Sequence, residues 1–395
     1  MRILVISHMY PNVMHEVYGI FVAHQVSELV KLGHEVKVVS PVPWSPGLLR
    51  IFKEKWGKYA QIPRREERQG VEVFYPRYLV LPRKYLYRYL GWFCYWGIKK
   101  TVKKIFAQFP FDVIHAHTAL PDGYAAVLLK KHLSRPVALT IHGQDIFSNI
   151  WIDAACRKAV SRTLNAADSV VAVSSLLKEK MADLMPLEKI DVIPNGILWE
   201  EMAPDYSYFP EEFRGKRILL SVGYLIERKG HRYVLEALAH LVKDFPDLLY
   251  VIIGDGLEEE GLKKMVTDLS LEDYVRFLGR RSGAEVMNYM ALSEIFVLPS
   301  WNEAFGVVYI EAMAQGKPVI GCRGEGIEDF VTDGVNGILV PPRNSQELAR
   351  ALAHLLAHRE KAEEIGSRGK ETVMARYTWT QVARELESLY RRLLG

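Results

Sequence analysis

The chain is poor in the residues and motifs that would place it in several common classes. It has three cysteines in 395 residues, Cys94, Cys156 and Cys322. They are too scattered for a disulfide framework, a zinc site or a redox pair, which points to a reducing, cytoplasmic compartment. No Gly-x-Gly-x-x-Gly and no Gly-Lys-Ser/Thr loop occurs, so neither a dinucleotide oxidoreductase nor a P-loop NTPase is expected. Asp-x-Asp is missing too, and no metal site is expected. No apolar run approaches the roughly 20 residues that span a bilayer. The first residues, MRILVISHMY, enter a strand pattern directly instead of a charged stretch and an apolar signal core, so secretion is not expected. Internal repeats and low-complexity segments are also lacking.

What is present is a soluble globular composition, 49% hydrophobic and 25% charged, in a chain too long for one ordinary core. The net charge of +4 hides an asymmetry. Residues 1–200 carry 27 Lys/Arg against 17 Asp/Glu, whereas residues 201–395 carry 24 against 30. Residues 50–104 alone hold 15 Lys/Arg against 4 Glu, interleaved with Trp56, Tyr59, Tyr85, Tyr89, Trp92, Phe93 and Trp96. Basic residues mixed with Trp and Tyr suit the headgroup region of an anionic membrane. A solvated basic face is the plainer reading. No recognition motif accompanies the charge, so nucleic acid is not expected as a partner.

Apolar strands alternate with helical stretches along both halves. In the first they are Ile3–Ile6, Glu35–Val39, Val113–His115, Val137–Ile141, Ser169–Val173 and Asp191–Ile193. The second repeats the pattern with Arg217–Val222, Leu249–Ile253, Val275–Leu278, Ile295–Leu298, Val319–Ile320 and Gly337–Val340. This alternation predicts an α/β fold of two Rossmann-like parallel sheets, residues 1–195 and 196–377, with ligands beyond the carboxyl ends of the strands in a shared cleft. Residues 378–395 form an amphipathic last helix.

The densest chemistry lies in Glu303–Pro318, EAFGVVYIEAMAQGKP. A helix opening near Gly306 leaves the amides of Gly306, Val307 and Val308 unpaired at the positive end of its dipole, where phosphate oxygens bind. Glu311 stands about five residues further on, roughly 7 Å at 1.5 Å per residue, which is the reach from a diphosphate to its ribose. Glu303 falls in the loop on the other side of the phosphates. Two isolated glutamates are more often a dipole partner and a solvated helix residue, so the reading depends on company. That company includes Gly223, Arg228 and Lys229 after one strand, Gly254 and Asp255 after the next, and Gly279 and Arg280 after the third. The cations suit a leaving diphosphate. In the first half, Gly19 opens a helix, and two strands end in His117 and in His142-Gly143-x-Asp145. A histidine at each of two strand ends favours a place in the cleft, although no third ligand makes them a zinc pair.

In order and spacing these residues resemble the retaining nucleotide-sugar glycosyltransferases of family 4, which have the GT-B fold. The likeness rests on the Glu303-x7-Glu311 element, Lys229-Gly230, the segments DVIHAH and IHG, and the Pro194-Asn195-Gly196 turn, and it runs over essentially the whole chain. Within the family the chain resembles enzymes of bacterial surface polysaccharide synthesis, of the teichuronic-acid type. The resemblance implies a nucleotide-sugar donor and a saccharide or lipid-linked saccharide acceptor. It implies no cofactor and no required metal. By the same resemblance Glu311 would hold the donor ribose and Glu303 the transferred sugar. Lys229, Arg228 and the amides of Val307 and Val308, beside Phe305 and Gly306, would hold the diphosphate. His117 would stand at the reacting centre and Gly19 beside the donor phosphates, and the last helix would cross back onto the first domain. It further implies retention of configuration in a front-face reaction, with the departing phosphate's own oxygen taking the acceptor proton. The family often has Arg after the glycine that corresponds to Gly223, where this chain has Tyr224, and Arg228 is expected to supply that charge. The rival readings are a non-catalytic nucleotide-sugar or membrane scaffold and a GT-B epimerase or phosphorylase.

Overall fold

The alternating apolar runs become strands in the computed structural model, which describes residues 1–44, 59–80, 84–205 and 210–395. The chain separates into two units, Met1–Asn195 with Trp379–Gly395, and Gly196–Thr378. No helix among the described residues is long and apolar enough to cross a membrane.

The first unit is built on an eight-stranded sheet. Its strands are β1 (Arg2–Ile6), β2 (Glu35–Val39), β4 (Arg65–Arg68), β5 (Val71–Phe74), β7 (Val113–His117), β8 (Val137–Ile141), β9 (Ser169–Ala172) and β10 (Ile190–Val192), while β3 (Val42–Pro43) and β6 (Arg77–Tyr78) form a separate short ladder. The order across the sheet is β10-β9-β8-β7-β1-β2-β5-β4, parallel except where β4 runs against β5. β1, β7 and β8 are almost wholly buried, as strands covered on both faces must be. The β4–β5 hairpin was not legible in the sequence. Its first strand is the charged run REER, and its turn places Gln69 and Gly70 at φ 51° and 76°. Part of the basic, aromatic stretch thus forms a sheet edge, whereas Trp56 and the side chain of Tyr85 lie outside the described residues.

The second unit holds β11 (Arg217–Val222), β12 (Leu248–Ile253), β13 (Val275–Gly279), β14 (Ile295–Val297), β15 (Val319–Cys322) and β16 (Ile338–Val340). All are parallel, in the order β13-β12-β11-β14-β15-β16. In both sheets the chain lays strands to one side and then returns to the other. The reversal falls between β1 and β7 in the first unit and between β11 and β14 in the second. At such a reversal the connections diverge and leave a crevice beyond the carboxyl ends of the two strands.

The helix Trp379–Leu394 belongs to the first unit although it follows the second in sequence. It buries Trp379, Val382, Ala383, Leu386, Leu389 and Tyr390, one stripe at helical spacing, against the helix Ile20–Lys31. Thr380 donates a 2.8 Å hydrogen bond to Glu28. Tyr390 is fully buried, and its hydroxyl lies 2.6 Å from Nδ1 of His115. Tyr390→Phe should therefore lower stability by about 1–2 kcal/mol, the scale of a buried polar group losing its partner. An unchanged urea unfolding midpoint would show that the contact is dispensable.

Candidate functional site

The crevice of the second unit is lined from both sides. From β14, Leu298 leads to Ser300, and the buried hydroxyl of Tyr309 bonds to both the Leu298 carbonyl and the Ser300 hydroxyl. That clasp fixes the helix Val307–Ala314 against the strand end. Gly306 precedes the helix at φ 84°, and a Cβ there would stand 2.5 Å from the Tyr309 ring, so glycine is required by conformation and by space alike. No side chain caps this helix. Among the described residues the N–H groups of Val307 and Val308 find no acceptor, whereas that of Tyr309 bonds to Gly306. Two donors and the positive end of the dipole therefore meet at one place.

From β11, the turn through Gly223 brings Arg228 and Lys229 to the same crevice. Lys229 Nζ lies 2.5 Å from Glu303 Oε2, with the two side chains only 11% and 14% exposed. Arg228 reaches the same oxygen at 4.0 Å, donates to the Asn302 carbonyl at 3.2 Å and remains 43% exposed. The Glu303 loop is braced from the far side, where its N–H donates to Glu325 and its carbonyl accepts from Gly326. Glu325 had no signal in the sequence, because it acts from a separate loop 22 residues away.

Glu311 is partly buried, and burial pushes its carboxyl up to about 7, with the charge of Glu201 as a smaller cause. Gly254 follows β12 at φ 138°, and a Cβ there would overlap the Gly223 carbonyl oxygen, so the strand-end loops touch backbone to backbone. Asp255 pairs with Arg280 at 2.7 Å, and that guanidinium also lies over the ring of Tyr224, 5.8 Å from its centroid. Tyr224 is thus a platform for a cation that arrives from β13. Phe305 is buried against Phe330 and Tyr377 and serves the packing of this loop, while Gly279 ends β13 at φ 66°.

In the first unit, three neighbouring strands each deliver a histidine to the carboxyl edge. His8 follows β1, His117 ends β7 and His142 follows β8. His117 Nδ1 lies 3.0 Å from His142 Nε2, and their rings stack at 5.2 Å. His115 stacks behind His117 at 4.4 Å, tied to Thr140, Gln25 and Tyr390. Burial pushes His117 well below its ordinary value and His115 and His142 down to about 3, so these rings are neutral at physiological pH. The outer nitrogens, Nε2 of His117 and Nδ1 of His142, are buried without a hydrogen-bond partner.

Asp145 is placed differently from expectation. Its carboxylate is buried and accepts from the amides of Ala119 and Leu120, so it holds the loop after β7 instead of facing a ligand. Gly143 carries the backbone through φ 112° just before it. Gly19, at φ 74°, brings the start of the helix Ile20–Lys31 against the Met9 carbonyl, and Phe21 packs on the His142 ring at 4.6 Å. The predicted residues fall into two groups, Gly19, His117, His142, Gly143 and Asp145 in the first unit and the remainder in the second. No local signal in the sequence pairs His8 with Asp122, 114 residues away, whose Oδ2 lies 2.8 Å from His8 Nδ1.

Two Rossmann-like sheets, one with a cationic, amide-lined crevice at its reversal point, define a glycosyltransferase of the GT-B fold. Two family models match in succession, "Glycosyltransferase Family 4" over residues 19–198 and "Glycosyl transferases group 1" over residues 207–372. The chain is 30% identical over 296 residues to an uncharacterized glycosyltransferase of Methanocaldococcus jannaschii, covering 74% of this chain and 79% of that one. It is 29% identical over 398 residues to a Bacillus subtilis protein named as a teichuronic acid biosynthesis glycosyltransferase, covering 99% of this chain and 98% of that protein. Among solved structures, sucrose-phosphate synthase of Thermosynechococcus elongatus superposes with a TM-score of 0.81 at 23% identity, over 100% of this chain and 99% of that one. The chain belongs to the family 4 glycosyltransferases and is a glycosyltransferase enzyme.

The raised pKa of Glu311 has a sign that can be checked. Its folded value of about 7 exceeds the ordinary 4.5, so the folded form retains a proton that the unfolded chain releases, and stability falls as pH rises between those values. Glu311→Gln should match the wild type at pH 4 and exceed it at pH 8, by up to about 3 kcal/mol. Equal unfolding midpoints at pH 8 would refute the buried, ligand-free carboxylate.

Proposed function

We propose that the enzyme transfers a sugar from a nucleotide diphosphate to an acceptor hydroxyl with retention of anomeric configuration. The observation that carries this reading is the convergence of Lys229, Arg228 and the free amides of Val307 and Val308 at the reversal point of the second sheet. These groups supply positive charge where a nucleoside diphosphate departs, and charge stabilised at that moment lowers the barrier. Glu311, about 7 Å along the helix, takes the ribose hydroxyls. Glu303 exchanges its bond to Lys229 for one to the transferred sugar. No metal is needed, because these cations and amides already neutralise the diphosphate. Retention rests on family membership alone.

The acceptor we favour is a lipid-linked saccharide on the inner membrane face. The helix Leu90–Gln108 supports it, since its N-cap Tyr89 and Trp92 and Trp96 are exposed to 45–55%, and Lys100, Lys103 and Lys104 are exposed further along. The B. subtilis relative is named for a cell-surface polymer. A non-catalytic scaffold and an epimerase are the alternatives; a scaffold would be expected to have lost Glu303, Lys229 or His117, and an epimerase would convert donor without any acceptor.

A thermal-shift panel of UDP, GDP, ADP, TDP and their sugar conjugates, without and then with magnesium, tests the donor site. A nucleotide at 100 times its dissociation constant adds about 2.7 kcal/mol. One nucleotide should stabilise the wild type without magnesium, and Lys229→Ala and Glu311→Ala should each lose most of that shift; no shift with any ligand favours the scaffold. For the membrane, Trp92→Ala combined with Trp96→Ala should reduce cosedimentation with phosphatidylglycerol vesicles several-fold. Binding that is equal for neutral and anionic vesicles would argue against this surface.

A further inference from the structure

Parallel strands covered on both faces are apolar throughout, but β2 and β5 alternate. Val36, Val38, Val71 and Val73 are buried, whereas Lys37, Glu72 and Phe74 are partly exposed. The register pairs Lys37 with Glu72, and Phe74 lies two residues on, so the three share one face of the sheet. That face carries charge where an apolar cover would otherwise sit. The start of β4 and the last two turns of the helix Leu90–Gln108 close over it to leave a cavity of about 660 Å³, within the size range of small-molecule sites. All its walls belong to the first unit, and none comes from the loops after β1, β7 or β8. It is therefore separate from the row of imidazoles.

The charge of this cavity is one-sided. Lys37, Arg64, Arg65 and Lys104 line it against a single acid, Glu72. Glu72 is already committed, because Lys37 Nζ lies 2.6 Å from its Oε2 and Arg65 pairs with its Oε1. Among the described residues Arg64 and Lys104 have no acidic partner. Arg64 is nevertheless fixed in place, since its carbonyl accepts from the Tyr75 N–H at 2.9 Å where the chain enters β4. Burial, and after it the charge of Arg64, hold the nearby Arg77 below its ordinary value. Cations gathered without an anion repel one another, and an anion among them relieves that repulsion. The helix dipole does not account for the cluster. It favours cations only within the last turn, and Lys104 stands before that turn, while Arg64 and Arg65 come from a sheet edge.

We propose that this cavity binds a phosphate ester of a small polyol. The Arg64 guanidinium offers a fork of N–H donors that matches phosphate oxygens, and Lys104 adds a point charge. Thr101 and Gln108 supply a hydroxyl and an amide for the ester's hydroxyl groups. Phe74, with the Arg65 guanidinium 5.5 Å from its ring centroid, is an apolar wall for the carbon skeleton. The volume holds more than inorganic phosphate alone. Such an ester exists free in solution and also as the headgroup of an anionic lipid. The helix that carries Thr101 and Lys104 carries the exposed Trp92 and Trp96 nearer its start, which favours the lipid. The site binds and performs no chemistry, and it stands independently of the transferase reading.

The probes are glycerol 1-phosphate and dihexanoyl phosphatidylglycerol below its micelle concentration, with glycerol and zwitterionic dihexanoyl phosphatidylcholine as controls. Calorimetric titration of the full-length protein at low ionic strength, where screening is weakest, gives their dissociation constants. The proteins compared are wild type, Arg64→Gln combined with Lys104→Gln, and Lys229→Ala. Arg64 and Lys104 are exposed, so the double variant should keep the wild-type melting temperature. Losing two charged donors should weaken binding of the phosphate ester by at least about tenfold. Lys229→Ala, which alters the crevice of the second unit, should stay within about twofold of wild type, because distant sites act independently. Tighter binding of the lipid than of glycerol 1-phosphate would assign the headgroup as the source, and equal or weaker binding of the lipid would assign the free ester. Wild type that binds neither probe, controls bound as tightly as the probes, equal affinity in the double variant, or loss of binding in Lys229→Ala would each overturn the proposal.

Discussion

The crevice of the second unit depends on one shielded ion pair, Lys229 with Glu303. Its two side chains carry opposite charge, each is mostly out of water, and each is the other's partner. Each comes from the end of a different central strand, β11 or β14, and the pair spans the crevice that the sheet order opens. The remaining features keep it there. The Tyr309 clasp sets the helix, Glu325 and Gly326 brace the loop, and Trp301 N–H bonds to the Arg228 carbonyl. On the proposed reading, a diphosphate that engaged Lys229 would displace a carboxylate and free Glu303 for a sugar hydroxyl.

The two crevices differ in electrostatic character. The one in the second unit gathers cations and amides. The one in the first gathers the neutral imidazoles of His115, His117 and His142, with the buried carboxylates of Asp122 and Asp145 near them. The difference follows from which residues end the strands, since the sheets themselves are built alike.

Much of this was legible in the sequence because the signals were local. The strands announced themselves as apolar runs, and the helix after Gly306 announced itself by a glycine at each end and a proline beyond. Lys229, Glu303 and Glu311 each sit at a fixed offset from such a run. What escaped was non-local. The His8–Asp122 pair joins residues 114 apart and Glu303–Glu325 joins separate loops. Asp145 looked like a ligand because it follows a strand, and only the loop amides of Ala119 and Leu120 show where its carboxylate is committed. The β4–β5 hairpin was hidden because an edge strand made of REER has no buried face to impose alternation.

The last helix completes the first unit only after the whole second unit has been made. During synthesis residues 196–378 form a self-contained sheet and leave the ribosome while the first unit still lacks Trp379, Leu386 and Tyr390 from its core. His115, stacked behind His117, gains its Tyr390 partner among the final residues to appear. A chain stopped short of residue 379 would therefore carry every strand of the second sheet, together with a first unit whose row of imidazoles still lacks its Tyr390 partner.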